Sequence, residues 1–105
     1  MIPSLSILDT TSAMARHAGH VHEVTARNVA RADAPGALAD EAASFADALG
    51  RFAAGEAAAA SRGRERVVLD EQVMTMASNA GRHDAAVAVW SKVLDMVRLA
   101  GSSPR

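Results

Sequence analysis

The chain has no cysteine and no tyrosine, and only three of its 105 residues are aromatic: Phe45, Phe52 and Trp90. Without cysteine there are no disulfides and no thiolate zinc site, and the redox compartment stays open. Net charge is −1 with no basic block, so the electrostatic footprint of a nucleic-acid binder is missing. No apolar run approaches the length of a membrane span. The N-terminus lacks a basic stretch followed by a sustained apolar one, so a cleaved secretory signal is not expected. Ser, Asp and His are scattered, with no nucleophile elbow and no Gly-rich phosphate loop. The chain is therefore not read as an enzyme, and no cofactor or small-molecule substrate is expected.

Bulky apolar side chains are also thinly spread. Half the residues count as hydrophobic, but 25 of them are alanine. The 27 larger ones fall nine in residues 1–33, four in 34–66 and fourteen in 67–105. A single domain is the most this length allows, and its middle lacks material for a core. The two ends must pack on each other or on partners. With so little bulk between them, neighbouring chains are expected to supply part of the buried surface.

What is present is concentrated in the last third. Leu69, Val73, Met76, Ala80, His83, Val87, Trp90, Leu94 and Val97 are separated by alternating steps of four and three. That spacing marks the packing seam of a helix lying lengthwise against others. A second row, Ala86, Val89, Val93, Met96 and Ala100, widens the apolar face, so more than one neighbour is expected. Asp70 and Glu71 suit the helix start, with Asp70 as N-cap and Leu69 and Met74 as a hydrophobic staple. Gly101, Ser102, Ser103 and Pro104 suit its end. Gly81 could break it, but the rhythm crosses Gly81 in phase, so one continuous helix is expected.

Earlier, Ile7, Thr11, Met14, Ala18, Val21, Thr25, Asn28 and Ala32 repeat the same rhythm with smaller and more polar residues. Ser6 with Asp9 is a weak capping box for this helix. Its β-branched content makes it dependent on packing. Pro35 should end it near Asp33, with Pro35-Gly36 turning the chain. From Asp40 to Ala60, Ala42, Phe45, Leu49 and Phe52 sit at helical spacing, and Ser61–Arg66 reads as a polar hinge. The fold expected is all-α. Long helices in 1–34 and 68–101 pair as a coiled-coil-like hairpin around a short, partly helical or irregular middle, 35–67.

Candidate chemistry is sparse. His17 and His20 share a helix face, whereas His22 points away, so three convergent metal ligands on one helix are not expected. His83 lies on the seam and could be a phosphoacceptor, but its position predicts burial at an interface. Glu41, Glu56, Asp70 and Glu71 read as solvated or capping carboxylates. The arginines around Arg27–Arg31 and Arg62–Arg66 read as solubilising faces.

Two stretches resemble the bacterial flagellar basal-body rod proteins, most closely the small proximal-rod subunits (rod protein B). Residues 28–36 are similar to that family's Asn-Ile-Ala-Asn-Ala-Asp-Thr-Pro-Gly-Tyr signature, matching at Asn28, Ala30, Ala32, Asp33, Pro35 and Gly36. Arg31, Ala34 and Ala37 depart from it, and Phe45 stands where the family has a Phe soon after. Leu69 through Ala100 is similar to the family's acidic helix start, Met-rich first turns and closing helix, with His83 in place of a common Tyr. The resemblance implies a structural, self-assembling subunit of the proximal rod, needed for flagellum assembly and motility. It further implies type III export without a cleaved signal and a place in the rod spanning the periplasm. Implied partners are sibling subunits, other rod proteins, the basal-body base and the export apparatus. The alternative is a cytoplasmic helical adaptor or histidine phosphotransfer-like module with His83 exposed.

Overall fold

A computed structural model describes residues 7–101. In chain order come α1 (Ile7–Ala30), β1 (Leu38–Glu41), α2 (Phe45–Ala53), β2 (Ser61–Arg66) and α3 (Leu69–Gly101). The chain is mostly helical, and the two long end helices pack together as expected. An all-α fold is not what forms, however: β1 and β2 pair as a two-stranded antiparallel sheet. No described helix is long and apolar enough to cross a membrane. Ser6 of the capping box and the stop residues Ser102 to Pro104 lie outside the described residues.

Helix α1 buries polar residues without leaving them unpaired. Thr11 and Thr25 donate their hydroxyls to the carbonyls of Ile7 (2.9 Å) and Val21 (2.7 Å), one turn back. This local bonding lets threonine stand on a buried face. Among the described residues no buried side-chain polar atom lacks a partner. Of the expected α1 row, Thr11, Ala18, Thr25 and Asn28 are buried, whereas Ile7 and Met14 are exposed. The α-helix ends at Ala30, and tighter bonds, Ala32 N–H to Val29 and Ala34 N–H to Arg31, carry the chain to Pro35. Gly36 then takes φ of +70°, the left-handed region that a side chain resists.

Helix α3 runs unbroken through Gly81. It starts two residues earlier than a capping Asp70 would allow. The Val68 carbonyl accepts the Gln72 N–H at 3.1 Å, so Asp70 and Glu71 sit in the first turn. There they still meet the positive end of the helix. Leu69 and Met74 are both exposed and form no staple.

The middle differs most from expectation. Its helix covers only Phe45–Ala53, capped by Ser44, whose Oγ accepts the Asp47 N–H at 3.1 Å. The flanks are drawn into strands, and the expected polar hinge Ser61–Arg66 is β2. Partners are Leu38 with Arg66, Asp40 with Arg62, and Glu41 with Ser61, so β2 bulges between the first two pairs. Arg62 Nε holds the Asp40 carboxylate at 2.9 Å across the sheet. Gly63 is the one buried residue of β2. A Cβ there would collide with the Ala39 carbonyl oxygen and press on Glu41 Oε2 at 3.1 Å. Because the collision is with backbone, Gly63→Ala is expected to open this strand pair, at a cost of about 1–3 kcal/mol. Amide exchange across Leu38–Glu41 should accelerate while exchange within α3 does not.

The apolar core is small. Its buried members are Ala13, Ala18, Val24, Ala48, Ala86 and Val93, and Val24 is the largest fully buried side chain. The radius of gyration is 17.0 Å, against about 13 Å for a compact domain of this length. This is an elongated hairpin with little interior.

Candidate functional site

Three features link the helical pair to the middle segment and to the outside. The first is a hub at Asn28, near the end of α1 and only 2% exposed. Its Nδ2 donates to the Asp40 carbonyl (3.0 Å) and to Gln72 Oε1 (3.1 Å). Its Oδ1 accepts from the Asp40 N–H (2.9 Å) and from Arg31 Nη2 (3.0 Å). Two donors and two acceptor sites are all that an asparagine amide has. Every one is used, tying α1, β1 and α3 at a single point. Arg31 and Arg62 then bracket the Asp40 carboxylate at 3.4 Å and 2.9 Å.

The second feature is a clasp around Ala43. His17 Nε2 lies 2.8 Å from the Ala43 carbonyl oxygen, and the Ala43 N–H donates to His20 Nε2 at 2.9 Å. Histidines one helical turn apart thus grip both polar groups of one residue in the strand-to-helix connection. Phe45 meets the His17 ring edge-on at 5.7 Å, Arg16 lies over Phe52 at 4.0 Å, and Ala48 is fully buried. Burial is the main cause that lowers the His20 pKa below the ordinary histidine value, with nearby His17 second. His22 is exposed and takes no part in the clasp.

The third feature is the outer surface of α3. Of the expected seam, only Met76 and Leu94 are half-buried; Leu69, Val73, Ala80, His83, Val87, Trp90 and Val97 are exposed. The row that α1 covers instead contains Asn79, Ala86 and Val93, seven residues apart, with Gln72 one step before. At 100° per residue Trp90 lies about 40° around the helix from Ala86 and about 60° from Val93. The reason is steric. Helix axes approach closely only where side chains are small, and here Asn79 Nδ2 reaches the Ala18 carbonyl of α1 at 2.7 Å. A row of Val, Leu and Trp would hold the helices apart. His83, expected to be buried, is open to solvent, with Asp84 at 3.9 Å.

Apolar residues therefore flank the covered row on both sides. On one side stand Leu69, Val73, Val87 and Trp90; on the other stand Val89 and Met96, all exposed.

The signature residues divide by task. Asn28 is the buried hub, Ala32 is half-buried, and Ala30, Asp33, Pro35 and Gly36 are exposed around the turn. Sequence reasoning missed Asp40, Ala43, Gln72 and Asn79. A heptad spacing of 72, 79, 86 and 93 was there to be found, but its two polar members hid it. No protein-family model, curated protein or solved structure matches the chain.

Proposed function

We propose that this chain is a structural subunit of the bacterial flagellar basal-body rod, of the proximal type, and not an enzyme. The observation that carries this reading is the pair of uncovered apolar flanks on α3. A helix with large apolar residues on both sides of its one intramolecular contact is built for several helical neighbours. Packing of this kind is what a tube made of paired terminal helices requires. Two further observations support the reading. Asn28 and the Pro35-Gly36 turn have clear structural tasks, which fits a signature kept for architecture. The core is small enough that association would add substantially to stability.

In this reading the subunit leaves the cytoplasm through the flagellar export apparatus, without a cleaved signal, and orders against sibling subunits, other rod proteins and the basal-body base. The adaptor or phosphotransfer alternative gains one point, the exposure of His83. It gains no more, because Ala80 and Val87 beside it on the seam carry no charge.

Clean deletion of the gene is expected to abolish swimming, since an axial tube cannot omit a layer. Basal bodies purified from the complemented strain should contain the tagged subunit. Motile deletion cells with normal filaments would exclude the rod.

A further inference from the structure

We propose that His20 is an acid-operated latch: proton uptake at its Nε2 removes the acceptor that holds the Ala43 N–H and releases the α2 segment from α1. The inference stands on the clasp geometry and does not depend on the rod reading. Because His20 Nε2 accepts a backbone N–H, the ring proton in the closed form must sit on Nδ1. A second proton can go only to Nε2. The acceptor then becomes a donor facing another donor, and the bond is lost.

His17 responds differently. Its bond is to a carbonyl, so Nε2 donates whether the ring is neutral or charged. Charging His17 opposes charge on His20, whose ring is 6.3 Å away. The other charged groups around His20 line the same cleft, of about 810 Å³. They are Arg16, Glu23 and Arg27 from α1, Asp40 from β1 and Arg62 from β2; α2 contributes Phe52 and α3 nothing. Of these groups, Glu23 favours the charged ring while Arg27 opposes it. Arg31 and Arg62 both hold Asp40, so its charge is already engaged.

Movement would be confined to one segment. Asp40 stays fixed to Asn28 through both backbone groups, so the pivot lies between Asp40 and Ala43. Beyond it, α2 is held by the clasp, by Ala48 and by the ring contacts of Phe45 and Phe52. Only the clasp contains a titrating acceptor.

The sign follows from the closed form binding the proton less readily than the released one. In the released form His20 has its ordinary value, near 6.5. The clasp is fully present above that value. It weakens as pH falls from there to the lower value of the closed form. One proton changes the closed-to-released ratio by at most about tenfold per pH unit.

The test is NMR of the full chain between pH 8 and 5, following the His20 ring nitrogens and exchange of the Ala43 amide corrected for its intrinsic pH dependence. Expected are an Nδ1–H tautomer at neutral pH, titration of His20 below 6.5, and Ala43 protection falling up to about tenfold per unit. Protection of the Asp40 amide, held by Asn28, should stay level. His20→Gln supplies an uncharged acceptor and should make Ala43 protection independent of pH, whereas His22→Gln should behave as the parent. Titration of His20 at or above 6.5, or Ala43 protection that parallels that of Asp40 throughout, overturns the latch. These wild-type readings decide the matter even if a variant fails to fold.

Discussion

Replacing Asn28 with alanine is expected to accelerate exchange of the Asp40 amide about a hundredfold, equivalent to about 3 kcal/mol. The size follows from what the side chain satisfies. Alanine would strip the Asp40 N–H and C=O of their partner, and also one partner each of Gln72 and Arg31. An unsatisfied buried group costs about 1–3 kcal/mol. Asp40 is half-buried, so water would recover part of that for its two backbone groups. Asn28→Asp sharpens the expectation. It keeps the shape and strengthens the bond from Arg31, but replaces the donating Nδ2 with an oxygen facing the Asp40 carbonyl and Gln72 Oε1. If the hub works by hydrogen-bond direction, aspartate should be nearly as harmful as alanine. Gln72→Ala, which removes one of four bonds, should be mild. Exchange at Asp40 that is unchanged in Asn28→Ala would show that the strand is held by β2 alone.

How much of this could be read from the sequence depended on which interactions carried each element. Helix α3 was legible because fourteen large apolar residues in 67–105 impose a strong period that Gly81 does not interrupt. The turn after α1 was legible because proline and glycine restrict backbone angles locally. The strands were not. Leu38–Glu41 and Ser61–Arg66 show no alternation of apolar and polar residues, and what pairs them is remote: Asn28 on the Asp40 backbone, Arg62 on its carboxylate, and room at Gly63. Local propensity, which favoured a helix from Asp40 onward, gave way to those contacts.

The contacting face of α3 was placed only in part, for a related reason. Ala86 and Val93 stand in the expected second row, but Asn79 does not, and the bulkier seam is mostly exposed. Periodicity locates the bulkiest row, and bulk is a good guide when one partner buries everything. Here α1 takes the small row of Asn79, Ala86 and Val93, leaving the bulky rows outward. The clasp at Ala43 was half-visible: His17 and His20 were placed on one face, but nothing in the spacing indicated a backbone group as their partner.

On the proposed rod reading, Trp90→Asp is expected to leave the folding of the single chain nearly unchanged while abolishing incorporation into the rod. Trp90 is 36% exposed in the chain alone and lies off the row covered by α1. An aspartate there leaves Asn79, Ala86 and Val93 in place against α1 and reaches water. In an assembled tube the same position would sit between helices, where an unpaired carboxylate costs about 3–5 kcal/mol. That penalty weakens each contact by roughly two to nearly four orders of magnitude and recurs in every copy. The matched control is Ala88→Asp. Ala88 is exposed on the opposite side of α3, near Asp84, Lys92 and Asp95, so a charge there joins a face already charged. Export into the periplasm, helicity of the purified chain, and recovery of the subunit in basal bodies separate the possibilities. Trp90→Asp should be exported and should match the parent in helicity, yet be missing from basal bodies, with Ala88→Asp present. A variant that loses helicity would place Trp90 in the hairpin's own packing. One that assembles and supports swimming would show that this flank of α3 stays in water, and the reading of α3 as an assembly surface would fall with it.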